Sequence, residues 1–113
     1  MIVEVALKDK STNEINKNIV RDVENKNSFS YVDSKQISCK IDVFSDGIML
    51  SRKANDYEIE LNLRKNSYTR VITNEGELKI DTKVVDFIQN DDNIVVHYLI
   101  GEEDKEITIN YRS

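Results

Sequence analysis

Tyr57-Glu58-Ile59-Glu60-Leu61-Asn62-Leu63-Arg64 sets an apolar side chain at every second position and a polar one between. Successive side chains of a strand point to opposite faces. A period of two therefore predicts a half-buried β-strand, with Tyr57, Ile59, Leu61 and Leu63 toward a core. The alternation continues in both directions. Upstream, Ile48, Leu50 and Arg52 share a face. Before them Ile37, Cys39, Ile41 and Val43 point one way and Ser38, Lys40 and Asp42 the other. Ser45-Asp46-Gly47 joins these two strands and is the strongest hairpin signal, because Asp-Gly supplies the positive-φ conformations of a tight primed turn. Downstream, Lys65-Asn66-Ser67 turns into a strand from Tyr68 to Thr73. Leu78, Ile80, Thr82 and Val84 follow in phase, and the phase breaks at Val84-Val85 as a bulge would break it. Ile94, Val96, Tyr98 and Ile100 line one face of the next strand, Val95, His97 and Leu99 the other, and Ile107, Ile109 and Tyr111 end the chain.

The N-terminal part reads the same way. Val3, Val5 and Leu7 share one face of a first strand. A second, from about Glu14 to Val23, carries Ile15, Ile19 and Val23 in phase. Lys17 and Arg21 share that phase, so this strand is an edge or bent. A short strand from Phe29 to Val32 ends at Asp33-Ser34. The polar breaks recur about every 8 to 12 residues, and the total is about eight to ten antiparallel strands with no helix. All connections are short, so sequence neighbours should be neighbours in space. An open meander of that length leaves two exposed edges, and closure removes them. The expected fold is all-β, an antiparallel up-and-down closed barrel formed by residues 1–113 as a single domain, with a two-sheet sandwich as the alternative.

Composition agrees. Ile and Val number 14 and 11, against 6 Leu and 2 Ala. β-Branched side chains suit pleated, half-buried surfaces, whereas Leu and Ala favour helices. No proline interrupts the strands among the 113 residues. A chain of this size buries roughly 65% of its unfolded surface, enough for one core without metal or disulfide. The net charge of −5 argues against nucleic acid as a partner, because phosphate neutralisation needs a basic face. No apolar run is long enough to span a membrane, and Met1-Ile2-Val3-Glu4-Val5 does not have the form of a signal peptide. With one cysteine, these readings give a cytoplasmic expectation.

The ordered set Ile48-x-Leu50-x-Arg52, Leu61-x-Leu63, Thr73-x-x-Gly76, Leu78-x-Ile80-x-Thr82, Asn93-Ile94-x-Val96-x-Tyr98 and Ile107-x-Ile109 resembles the small YwiB-like proteins of low-GC Gram-positive bacteria and their wall-less relatives. The motif-bearing part is 47–111. The sequence departs from the family at Val71, where an aromatic is usual, and after Arg52-Lys53, where no glycine follows. The resemblance implies a calycin-type, lipocalin-like closed β-barrel and a bacterial cytoplasmic setting. It implies no reaction, since the family is one of unknown function.

The residues themselves offer few sites. His97 lies out of phase with Ile94, Val96 and Tyr98 and should face solvent. One histidine and one cysteine make zinc binding a poor reading. Cys39, between Ile37 and Ile41, reads as a small buried hydrophobe. Glu58 and Glu60 lie on one face of a strand, in a row; paired-carboxylate chemistry needs them across a cleft. No Gly-rich phosphate loop and no nucleophile triad can be assembled from spacing. No enzyme activity, metal or cofactor is therefore expected. Arg52 is the informative residue, because alternation with Ile48 and Leu50 sends it inward. A buried arginine must be paired. It either anchors a structural polar network or reads an anionic small ligand. The candidate interior ligand-binding set is Arg52, Thr73, Thr82, Tyr98 and Tyr111. Two functions compete. One is a barrel that binds a small anionic or amphipathic ligand. The other is a filled barrel that acts through its surface, with Val95, His97 and Leu99 as its outward apolar trio; in either case a monomer or weak homodimer is expected.

Overall fold

The computed structural model describes residues 1–64 and 67–112. The turn expected at Lys65-Asn66 lies outside the described residues. Ten strands follow in chain order: β1 (Ile2–Asp9), β2 (Glu14–Val20), β3 (Ser28–Val32), β4 (Ser38–Phe44), β5 (Gly47–Lys53), β6 (Tyr57–Leu63), β7 (Ser67–Thr73), β8 (Gly76–Gln89), β9 (Asn93–Ile100) and β10 (Glu103–Arg112). All belong to one antiparallel sheet in the order β2-β1-β10-β9-β8-β7-β6-β5-β4-β3. β1 pairs with β10 from Ile2↔Arg112 to Asp9↔Lys105, so the two ends of the chain are stitched together and the sheet rolls into a nearly closed barrel.

Closure is nearly but not fully achieved. β2 and β3, consecutive in the chain, are the two ends of the hydrogen-bonded order. Their connection covers the seam. Val23 inserts into the core, and its N–H and carbonyl bond the Met1 carbonyl and amino terminus, both at 3.0 Å. The Val43 N–H donates to the Asn27 carbonyl at 2.8 Å, and the Tyr111 hydroxyl donates to the Lys26 carbonyl at 2.9 Å.

The expected phases hold for most strands. Val3, Val5, Ile41, Ile48, Leu63, Ile94, Val96, Ile107 and Ile109 are buried to 2% exposure or less. β2 is the exception. Ile15 and Ile19 are 53% and 59% exposed, while Val20 is buried. Register explains the reversal. Val3 pairs with Val20, Val5 with Asn18 and Leu7 with Asn16, and directly paired residues share a face, so the inward set of β2 is Asn16, Asn18 and Val20. β2 also stops at Val20 rather than Val23, and Asp22 beyond it takes φ 58°.

The hairpin at Ser45-Asp46-Gly47 forms, but Gly47 has a different job from the one expected. Its φ is +154°, and Asp46 is not among the positive-φ residues. Gly47 opens β5 where the backbone of β6 comes close. A Cβ there would sit 2.1 Å from the Leu63 carbonyl oxygen. The bulge at Val84-Val85 is present as a register shift between Val84 and Asp86. β8 gives residues 76–82 to β7 and residues 82–89 to β9, so Thr82 pairs with both Ser67 and Ile100 and marks the corner of the barrel.

Candidate functional site

The barrel is filled at one end and hollow at the other. At the filled end, Val3, Val20, Val23, Phe29, Ile48, Leu63, Ile94 and Ile109 close the interior. At the other end, a partly open cavity of about 590 Å³ lies between the β1–β2 and β9–β10 walls and the β5–β6 wall. That volume falls in the range of small-molecule sites, roughly 300–1,000 Å³. Leu7, Leu50, Ile59, Leu61 and Ile100 give it an apolar lining. Asp9, Glu14, Arg52, Glu103 and Lys105 supply charge, and the Tyr98 side chain forms part of the wall.

Of the five residues expected in the interior site, the structure brings two together here, Arg52 and Tyr98. Thr82 is interior but elsewhere. Its hydroxyl is 2.7 Å from that of Thr69 and 3.1 Å from the Ile80 carbonyl, to which it donates, and both threonines are buried, so their polar atoms are satisfied locally. Thr73 is exposed at the β7–β8 turn, where its hydroxyl accepts from the Glu75 N–H. Alternation placed it inward, but the sheet ends there and the side chain meets water. Tyr111 stands at the filled end against the seam, and burial pushes its hydroxyl up to about 12.

Arg52 extends from the inward face of β5, as its phase requires. Its Nη2 donates to Asp33 Oδ2 at 2.9 Å. The Asp33 and Arg52 side chains keep only 10% and 27% of their exposure. Asp33 is held in turn by its own loop, where Oδ1 accepts from the N–H of Lys35 at 2.8 Å and of Ile37 at 3.0 Å. The turn closes because Gln36 takes φ 64°. Burial works to raise the Asp33 carboxyl. The N–H groups of Ile37 and Lys35 and the Arg52 guanidinium outweigh it and hold the group below its ordinary range. Arg52 Nε is buried without a hydrogen bond among the described residues. Cys39 lies alongside and is buried. Burial, followed by the negative charge of Asp33, pushes its thiol up, which removes nucleophilic character. Burial also raises the Tyr31 hydroxyl well above its usual value.

Across the cavity, Lys105 Nζ stands 3.5 Å from both Asp9 Oδ2 and Glu103 Oε2. Asp33, Asp9, Glu14, Glu103 and Lys105 were not singled out in the sequence. For three of them the signal was available. Asp9 continues the phase of Val3, Val5 and Leu7, and Lys105 and Glu103 continue that of Ile107 and Ile109 backward, by the same rule that marked Arg52. The outer face carries the remaining candidates. His97 pairs with Asp104, and Arg70 lies between Glu60 and Glu77. Val95, His97 and Leu99 are half-buried. The exposed large apolar residues include Ile15, Ile19, Val32, Leu78 and Ile88 instead.

Fold and site together define a nearly closed, ten-stranded antiparallel β-barrel with one hollow end. No family model matches the chain, and no curated protein does. In fold it is similar to the crystal structure of the ywiB protein from Bacillus subtilis, with a TM-score of 0.58 over 99% of this chain and 89% of that one, at 12% sequence identity. The resemblance carried by the strand motifs thus holds at the level of the barrel.

Proposed function

We propose that this chain is a small-molecule-binding barrel that takes an amphipathic ligand into its hollow end. The carrying observation is the cavity of about 590 Å³, whose lining combines apolar and charged side chains. A packed interior excludes voids of this size, because protein cores reach the density of organic crystals. The apolar body of the ligand lies against Leu50, Ile59 and Leu61, and its polar group meets the charged mouth. The similarity to the ywiB structure supplies the barrel only, and the resemblance of the motifs carries the expectation of a bacterial cytoplasmic setting. A reaction is not part of the proposal. The thiol of Cys39 is buried and raised, and Arg52 is engaged by Asp33.

Native mass spectrometry of the protein purified from its own cells tests this reading. A second mass, removed by denaturation and absent from a variant whose cavity is blocked by Ile59→Trp, is the expected result. A bare polypeptide mass, together with no response to a panel of small amphiphiles, would count against it.

A further inference from the structure

The sign of the ligand's polar group can be read from the cavity mouth, and this inference rests on the binding reading above. Arg52 is the obvious receptor for an anion, but its charge is already met at 2.9 Å by a carboxylate whose other oxygen is fixed by two backbone N–H groups. An anionic ligand must displace Asp33 or share its cation. The opposite side of the mouth differs. Three carboxylates, Asp9, Glu14 and Glu103, face the one ammonium of Lys105, which stands 3.5 Å from two of them. Lys8 borders the mouth too, but on the outward phase of β1, where it pairs in register with Glu106.

Tyr98 is an independent sign of a ligand at the same place. It is 95% buried by its 5% exposure, it lines the cavity, and its hydroxyl makes no hydrogen bond to any described residue. The hydroxyl itself is accessible from the cavity, so a polar group of a ligand can meet it there. Burial makes the phenol a weaker acid than usual, and the charges of Glu103 and Asp9 act in the same direction, so the group stays neutral beside two carboxylates. Asp9 is also held by the N–H and hydroxyl of Ser11, yet three carboxylates against the one ammonium of Lys105 leave an excess of negative charge beside an aromatic wall, the chemistry that recognises an organic ammonium.

We infer that the hollow end selects a small amphipathic cation, an amine with an apolar body, whose ammonium lies among Asp9, Glu14 and Glu103 beside Tyr98 and whose body rests on Leu61 and Ile100. The test is an amide-resolved NMR titration of the full chain at low ionic strength. The probes are three of matched length: hexylammonium, hexanoate and hexan-1-ol. The expected result is that shifts centred on Leu61, Tyr98 and Ile100 saturate about fivefold earlier with hexylammonium than with the other two. A single charge near a solvated mouth supplies a preference of that order, and added salt reduces it. The double variant Asp9→Asn/Glu103→Gln should erase the preference for hexylammonium over hexan-1-ol. Should that variant not fold, Tyr98→Phe should weaken hexylammonium by about threefold while preserving its preference over hexanoate. Hexanoate or hexan-1-ol binding at the same residues as tightly as the amine overturns the cationic assignment while the cavity reading stands. Silence from all three probes overturns both.

Discussion

The Asp33–Arg52 pair borders the hollow end through Arg52, and its strength can be worked out in parts. Asp33→Asn keeps an oxygen for the Lys35 and Ile37 N–H groups but removes the charge that faces Arg52. One charge-assisted hydrogen bond contributes about 1.5–3 kcal/mol. Breaking a fully buried pair costs about 3–5 kcal/mol, because a charge is left without its counterpart. Arg52 keeps 27% of its side-chain exposure and borders a cavity that water can enter, so the lower part of the range applies, about 2 kcal/mol. Asp33→Ala also strips the acceptor from two backbone N–H groups and should cost about 2 kcal/mol more. With an unfolding entropy near 2.1 cal/mol/K per residue, a loss of about 2 kcal/mol lowers the melting temperature of a chain this long by roughly 8 °C. Thermal and urea unfolding of both variants, with Arg52→Met to complete a double-mutant cycle, measure each part. The acid limb adds a second readout. The folded carboxyl is held below its ordinary value of about 3.9, so the stability it contributes is present above that value and is lost as pH falls through the lower folded one. The difference between the native chain and Asp33→Asn should therefore shrink below about pH 4. A penalty under about 0.5 kcal/mol for Asp33→Asn, or one independent of pH through this range, would refute the reasoning.

Three further outcomes follow from the packing. Gly47→Ala should destabilise the fold by about 3 kcal/mol or more, since a Cβ would overlap the Leu63 carbonyl oxygen on backbone that cannot yield, and equilibrium unfolding reads this directly. Thr82→Val should cost about 1–2 kcal/mol by orphaning the buried Thr69 hydroxyl, whereas Thr69→Val should cost less because the Thr82 hydroxyl keeps the Ile80 carbonyl; the double variant should cost less than the two added together. Leu63→Ala, in the filled end, should cost about 3–4 kcal/mol. Leu61→Ala, on the cavity wall, should cost about 2 or less because the void it enlarges already exists; equal penalties would mean that this end is packed.

What could be read from the sequence follows from what alternation encodes. It reports which residues share a face, and so it gave the inward sets of β1, β4, β5, β6 and β9 with the right residues. It does not report which face is inner when both carry apolar side chains. β2 shows the limit: Ile15, Lys17 and Ile19 alternate with Asn16 and Asn18, and the choice between faces is made by register against β1, a partner that only the folded chain supplies. Gly47 was legible as special but for the wrong cause, because a close approach to Leu63 is a tertiary fact and a turn is a local one. Of the site, Arg52 was readable from its phase. Its partner was not, since Asp33 lies in a loop outside any alternation and reaches Arg52 only because the 33–37 turn folds over.

The hollow end has a physical origin in the same pattern. On the inward phases, apolar residues persist to one end of the strands and give way at the other to Asp9, Arg52, Glu103 and Lys105, joined by Glu14 across from Asp9. Charges of this kind cannot be packed to crystal density, because each would lose its hydration and recover only part of it through partners. The filled end meets the opposite condition, with Val3, Ile48, Leu63, Ile94 and Ile109 almost fully buried and the Tyr111 hydroxyl directed to the seam. Charge on the inner face thus holds one end of the barrel open while β-branched bulk closes the other. A barrel selected for stability alone would gain from carrying Ile, Val or Leu through to both ends. Five ionisable groups on a surface that also carries Leu50, Ile59 and Leu61 are the feature on which the proposed binding role rests.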